Sequence, residues 1–178
     1  MKVASALAQA RVLGLDRLDA QLLLAHTLQQ PRAWLIAHDD TALTPGQQQT
    51  FSAACRRRAD GEPMAYLLGE REFHGLMLQV DTAVLVPRPD TETLVDWALE
   101  LLAAIEAPQV ADLGTGSGAI ALALKHARPA AHLCALDCSA AALQVARTNA
   151  KRLGLALELV QGDWWQPLQG RRFHLVVS

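Results

Sequence analysis

Between residues 110 and 119 the chain reads Val110-Ala111-Asp112-Leu113-Gly114-Thr115-Gly116-Ser117-Gly118-Ala119. A short apolar run ends in an acid, glycines follow at alternate positions, and the helical pattern Ile120, Ala121, Leu122, Leu124 begins at once. Strand, glycine turn and helix in that order open a nucleotide-binding βα unit. Two ligand chemistries compete for such a bend. Read as Gly114-x-Gly116-x-x-Ala119 it fits the dinucleotide fingerprint, with Asp137 at a suitable distance for a ribose. A dinucleotide brings a pyrophosphate, however, and a carboxylate two residues before the first glycine repels it. S-adenosylmethionine carries an ammonium and a sulfonium and no phosphate, so Asp112 favours it, by contact or through water. The competing reading of Asp112 is a cap on the loop backbone or the helix start.

Two more acids fall at predicted strand ends, the place where ligands bind in open α/β sheets. Asp137 closes the run from His132, and its two oxygens can accept from both hydroxyls of a ribose, or cap the helix that begins near Ser139. Asp163, in Gly162-Asp163-Trp164, can accept from the exocyclic amine of adenine. Trp164 can cover the adenine ring or be plain core. Cys134 and Cys138 straddle a strand end without further ligands nearby, so no metal site is expected.

The elements that must position these residues follow from periodicity. Residues 1–69 read as helices only. The first, Ser5 to Leu13, stops at Gly14, and Asp16 caps a second with Leu18, Leu22, Leu23, Ala25 and Leu28 on its apolar face. Pro31 opens a short third helix, Thr44-Pro45-Gly46-Gln47 is a capping box for a fourth, and Pro63 opens a last short turn. His26 and His38 read as surface or satisfied core residues, and Arg56-Arg57-Arg58 as a solvated face or a docking patch. Near Arg71 the period changes to alternation, and residues 70–80 read as a β-hairpin turning at His74-Gly75. Pro87-Arg88-Pro89 is either a rigid linker or a device that fixes the next helix start near the cofactor. Asp90 or Thr91 caps that helix, whose apolar side holds Leu94, Trp97, Ala98, Leu101, Leu102 and Ile105. From there, strands at 110–113, 132–137, 157–161 and 173–177 alternate with helices at 118–127 and 139–153. That order demands a mainly parallel sheet with right-handed crossovers. The domains expected are a helical bundle at 1–69, a hairpin linker at 70–86 and an α/β domain at 87–178.

Composition narrows the function classes. The 178 residues are half apolar and one-fifth charged, with net charge −2, so no basic stripe advertises nucleic acid. Three scattered cysteines make no disulfide framework. Without a signal peptide or membrane-spanning run, the cytoplasm is the expected location.

On these residues the chain resembles a known family. Asp112 to Leu124 is similar to the first motif of class I methyltransferases, and more narrowly to that of the release-factor glutamine methyltransferases, also called HemK or PrmC. Leu85-Val86-Pro87-Arg88-Pro89-Asp90-Thr91-Glu92 resembles that family's entry into its catalytic domain, and Gly61 to Gly69 the end of its helical domain. Phe73-His74-Gly75 lies where its connecting hairpin is expected. The resemblance implies an α/β protein: a small helical bundle that docks class-1 peptide chain release factors, then a Rossmann-like domain. The activity implied is methylation, from S-adenosylmethionine, of the glutamine side-chain nitrogen in the factor's Gly-Gly-Gln tip. It also implies that Gly114, Thr115, Gly116, Ser117 and Gly118 form the cofactor loop, that Asp137 holds the ribose, and that Trp164 flanks the adenine.

The family's substrate motif, Asn-Pro-Pro-Tyr, follows its fourth strand. Here that strand is Phe173-His174-Leu175-Val176-Val177-Ser178, where the sequence ends. A fragment is therefore expected, with no assignable catalytic residue, poor or absent methyl transfer and a bare apolar edge. Rival readings are a nucleic-acid amino methyltransferase, an NAD-dependent oxidoreductase and a non-enzymatic module that binds release factor.

Overall fold

The computed structural model describes residues 1–178, which divide into two compact units, Met1–Leu68 and Gly69–Ser178. The first holds α1 (Val3–Val12), α2 (Arg17–Leu28), α3 (Trp34–Ala37), α4 (Pro45–Ala59) and α5 (Met64–Leu68). Asp16 caps α2 by accepting from the Asp19 amide at 2.8 Å. The Thr44–Gln47 capping box closes in both directions at the start of α4. The core of this unit is built on Phe51, Leu23, Leu24, Leu35, Val3 and Cys55, and burial pushes the Cys55 thiol up to about 11. Two members of the arginine run are engaged within the unit. Arg58 bonds Asp19 at 2.6 Å, and Arg57 forms a fork with Glu62. His38 stacks on Trp34 with ring centroids 4.1 Å apart. Leu18, expected on the apolar face of α2, is half exposed instead.

The second unit opens with the hairpin of β1 (Glu70–Phe73) and β2 (Leu76–Gln79). Phe73, Leu76 and Leu78 are buried in this unit's core together with Val95, Leu102 and Val110. There follow α6 (Asp90–Leu101), β3 (Gln109–Leu113), α7 (Ala119–Ala127), β4 (His132–Asp137), α8 (Ala140–Leu153), β5 (Glu158–Gln161) and β6 (Leu175–Val177). The sheet is parallel throughout, in the order β5-β4-β3-β6. The chain runs outward from β3 to β5 and then returns to the far side of β3. The topological switch point, where open α/β sheets bind ligands, therefore lies beside the carboxyl end of β3. No helix is long and apolar enough to cross a membrane.

Two local expectations are corrected. Neither Asp90 nor Thr91 caps α6. The N-cap is Pro89, with no side-chain cap, and the Thr91 and Glu92 amides donate to the Arg88 and Pro89 carbonyls. Trp97 and Leu101, placed on the apolar side of α6 by spacing, are 61% and 56% exposed. Ala98 and Leu102, from the same expected side, are buried, and Val95 joins them. The contrast is measurable. Leu122→Ala, at a fully buried position of α7, should cost about 2–5 kcal/mol by urea denaturation. Leu101→Ala should stay within about 0.5 kcal/mol.

Candidate cofactor site

A cavity of about 660 Å³ opens at the switch point. Gly114, Thr115, Gly116 and Ser117 form one wall, with Asp137, Ser139 and Ala142 beside them. Leu85 to Arg88, Asp90, Thr91 and Leu94 form the opposite wall, and Ser178 reaches it from the end of β6. Five of the seven residues expected to bind cofactor are thus brought together. Gly118 and Trp164 do not line this cavity.

The glycines divide by function. At Gly114 and Gly116, both with positive φ, an added Cβ would meet nothing within 4 Å, so the chain turns there and leaves room above it. At Gly118 a Cβ would sit 3.1 Å from Leu122 Cδ1 and 3.3 Å from Ala146 Cβ. Gly118 therefore lets α7 pack closely on α8.

Asp112 is 1% exposed. Its Oδ2 accepts from Thr115 Oγ1 at 2.6 Å and from the Ala121 amide at 3.3 Å. The carboxylate thus ties the bend to the first turn of α7, where the helix dipole also favours negative charge. The direct contact with a ligand's cations expected from its position is corrected. The side chain points into the protein, and the capping reading describes it. Asp137 is placed differently. It is half buried, with Oδ2 accepting from the Gly116 amide at 2.9 Å and Oδ1 from the Ser139 amide at 2.9 Å. Ser139 itself caps α8 through the Ala142 amide. Each Asp137 oxygen has a second acceptor position for a hydroxyl.

These bonds decide what the bend can hold. The amides of Gly114 and Thr115 donate to the Leu136 carbonyl, Gly116 to Asp137, Gly118 to the Thr115 carbonyl, and Ala121 to Asp112. A phosphate-binding bend presents such amides to its ligand. Here the chain's own oxygens take these five, the Asp137 carboxylate among them.

Asp163 and Trp164 follow β5, and the Gly162 amide donates to the Asp137 carbonyl at 3.1 Å. Trp164 is 67% exposed, with φ at 45°. Gly162 has a steric reason for its identity, since a Cβ there would lie 2.4 Å from the Pro167 ring. On the opposite wall, Arg88, Asp90 and Thr91 were legible only as a possible helix-start device after Pro87.

Burial raises the Asp112 carboxyl from 3.8 to about 6, against the opposing hydrogen bonds from Thr115 and Ala121. A carboxyl raised in the fold favours folding at low pH. Its contribution is fully present below about pH 3.8 and is lost as pH rises through about 6. Relative to Asp112→Asn, the unsubstituted chain should therefore lose melting temperature between pH 4 and 7. A difference constant across that range would contradict the buried carboxyl.

Residues 1–69 match the family model described as PrmC N-terminal domain, and residues 91–178 match that of the methyltransferase small domain. The release factor glutamine methyltransferase of Bordetella pertussis strain Tohama I is 49% identical over 166 residues, 93% of this chain and 62% of that protein. The Escherichia coli K12 protein of the same name is 43% identical over 97% of this chain and 62% of its own length. A solved ribosomal protein L11 methylase from Lactobacillus delbrueckii subsp. bulgaricus aligns with 50% of this chain and 45% of its own, at 30% identity and TM-score 0.44. The chain spans about three-fifths of the length of the curated relatives it matches. Its two parts thus match the models of a PrmC N-terminal domain and of a methyltransferase small domain, and most of its length is similar to proteins named release factor glutamine methyltransferase.

Proposed function

We propose that this chain carries the S-adenosylmethionine site of a protein methyltransferase. The reaction proposed is N5-methylation of the glutamine in the Gly-Gly-Gln motif of class-1 peptide chain release factors. The observation that carries the cofactor reading is the Asp137 carboxylate at the end of β4, which lines the cavity and is bonded into the glycine bend through the Gly116 amide. A carboxylate with acceptor positions left over suits the hydroxyls of a nucleoside and repels a phosphate. Support for the substrate comes from the relatives' name, at 43–49% identity.

In this reading Asp137 accepts from the ribose hydroxyls, and Gly114, Thr115, Gly116 and Ser117 floor the cavity. Gly118 fixes the bend's exit into α7, and Trp164, just beyond the neighbouring strand end, flanks the adenine. The cofactor supplies a methyl group on a sulfonium, open to displacement by the glutamine nitrogen. A carboxamide nitrogen is a weak nucleophile because its lone pair is delocalised, so orientation must do much of the work. Residues 1–178 contain no Asn-Pro-Pro-Tyr, and no catalytic residue is assigned among them. The helical unit would dock the release factor, in the cytoplasm. The modest net charge of −2 favours a protein partner over direct nucleic-acid contact.

Titration calorimetry with S-adenosylhomocysteine and with NAD tests the cofactor class. Binding of the first and not the second is expected, and the reverse would overturn the reading. Hydrogen bonds to a charged acceptor are worth about 1.5–3 kcal/mol each. Asp137→Ala should therefore weaken S-adenosylhomocysteine binding by about ten- to a few hundredfold.

A further inference from the structure

Asn149, on α8, is fully buried although the surrounding sequence, Arg147 to Arg152, is largely polar. Its side-chain amide is engaged on three sides. Nδ2 donates to the Gln79 carbonyl at 2.9 Å and to the Ser117 carbonyl at 2.9 Å, and Oδ1 accepts from the Gln79 amide at 2.7 Å. Toward β2, the amide behaves like one residue of an added strand, pairing both backbone groups of Gln79. Toward the bend, it is the donor that holds the Ser117 carbonyl, between the two glycines at 116 and 118. No other side chain offers both a donor pair and an acceptor in a planar group of this size, apart from the longer glutamine. An aspartate would turn a negative oxygen toward two carbonyls, and an alanine would leave three backbone groups without partners.

We propose that Asn149 is a positioning residue for the cofactor site. It fixes the Ser117 carbonyl, and so the shape of the glycine bend, and couples that shape to the edge of the hairpin at Gln79. The proposal rests on the cofactor reading for its ligand, but its structural half stands without any ligand. A residue that only stabilised the unit would loosen all of it equally, whereas a positioning residue loosens the bend first.

The test uses the 178-residue chain with Asn149→Asp and Asn149→Ala. Amide hydrogen exchange is read at Gly116 and Gly118, with Cys134 to Leu136 of β4 as the internal reference. S-adenosylhomocysteine affinity is measured in parallel. About tenfold loss of protection in the bend relative to β4, with about tenfold weaker binding, is expected from leaving a buried carbonyl unpaired. Equal loss at both places, or unchanged affinity in a folded variant, would overturn the proposal. If the unsubstituted chain does not bind S-adenosylhomocysteine, the cofactor reading fails while the exchange comparison still decides the positioning role. Should neither variant fold, the unsubstituted chain decides. Saturating S-adenosylhomocysteine should slow exchange of the Gln79 amide more than that of Leu78, and an equal response at both would overturn the coupling.

Discussion

The second unit is organised around the need to satisfy a tight turn's backbone without help from a ligand. A chain that leaves a strand and enters a helix through Gly114, Gly116 and Gly118 exposes a cluster of amides with no sheet or helix partner. Leaving such groups buried and unpaired costs about 1–3 kcal/mol each. Two carboxylates and two carbonyls solve the problem here. Asp112 holds the Thr115 hydroxyl and the Ala121 amide from beneath, Asp137 holds the Gly116 amide, the Leu136 carbonyl takes the Gly114 and Thr115 amides, and the Thr115 carbonyl takes that of Gly118. With those donors engaged, the Asp137 carboxylate and apolar residues such as Leu94 and Ile120 line the concavity beside the bend.

The sheet explains why these groups meet. Register places Asp112 opposite Ala135 and Leu113 opposite Leu136, so the bend leaves β3 beside Asp137 at the end of β4. Asp137 in turn pairs with Gln161 of β5, which sets the Gly162-Asp163-Trp164 segment next to it. Because β6 lies on the other side of β3, the crevice between the two directions of winding stands open above the bend. The segment from Leu85 to Thr91 closes its far wall. The helical unit has its own core around Phe51 and Leu24.

Local sequence signals carried much of this. The alternation at 70–80, the capping box at Thr44 and the alternating strands and helices after Pro108 each depend on near neighbours in the chain, and each matches an observed element. The orientation of Asp112 does not depend on near neighbours alone. Its position at a strand end is readable, but whether the carboxylate faces the ligand or the helix is set by the path of the bend. Trp97 and Leu101 show the same limit. Their helical spacing is right, but the stripe that is covered depends on where the hairpin and α7 lie. Asn149 is the clearest case. In the sequence it is one polar residue among several on α8, and its importance appears only when the hairpin, 70 residues earlier in the chain, packs against it.

The account turns on a nucleoside seated between Asp137 and the glycine bend. A crystal structure of the chain with S-adenosylhomocysteine tests this most directly. The ribose hydroxyls should lie within hydrogen-bonding distance of the Asp137 carboxylate, with the Gly116 and Ala121 amides still bonded to Asp137 and Asp112. A ligand lodged elsewhere, or a bend that releases those amides to receive it, would contradict the account.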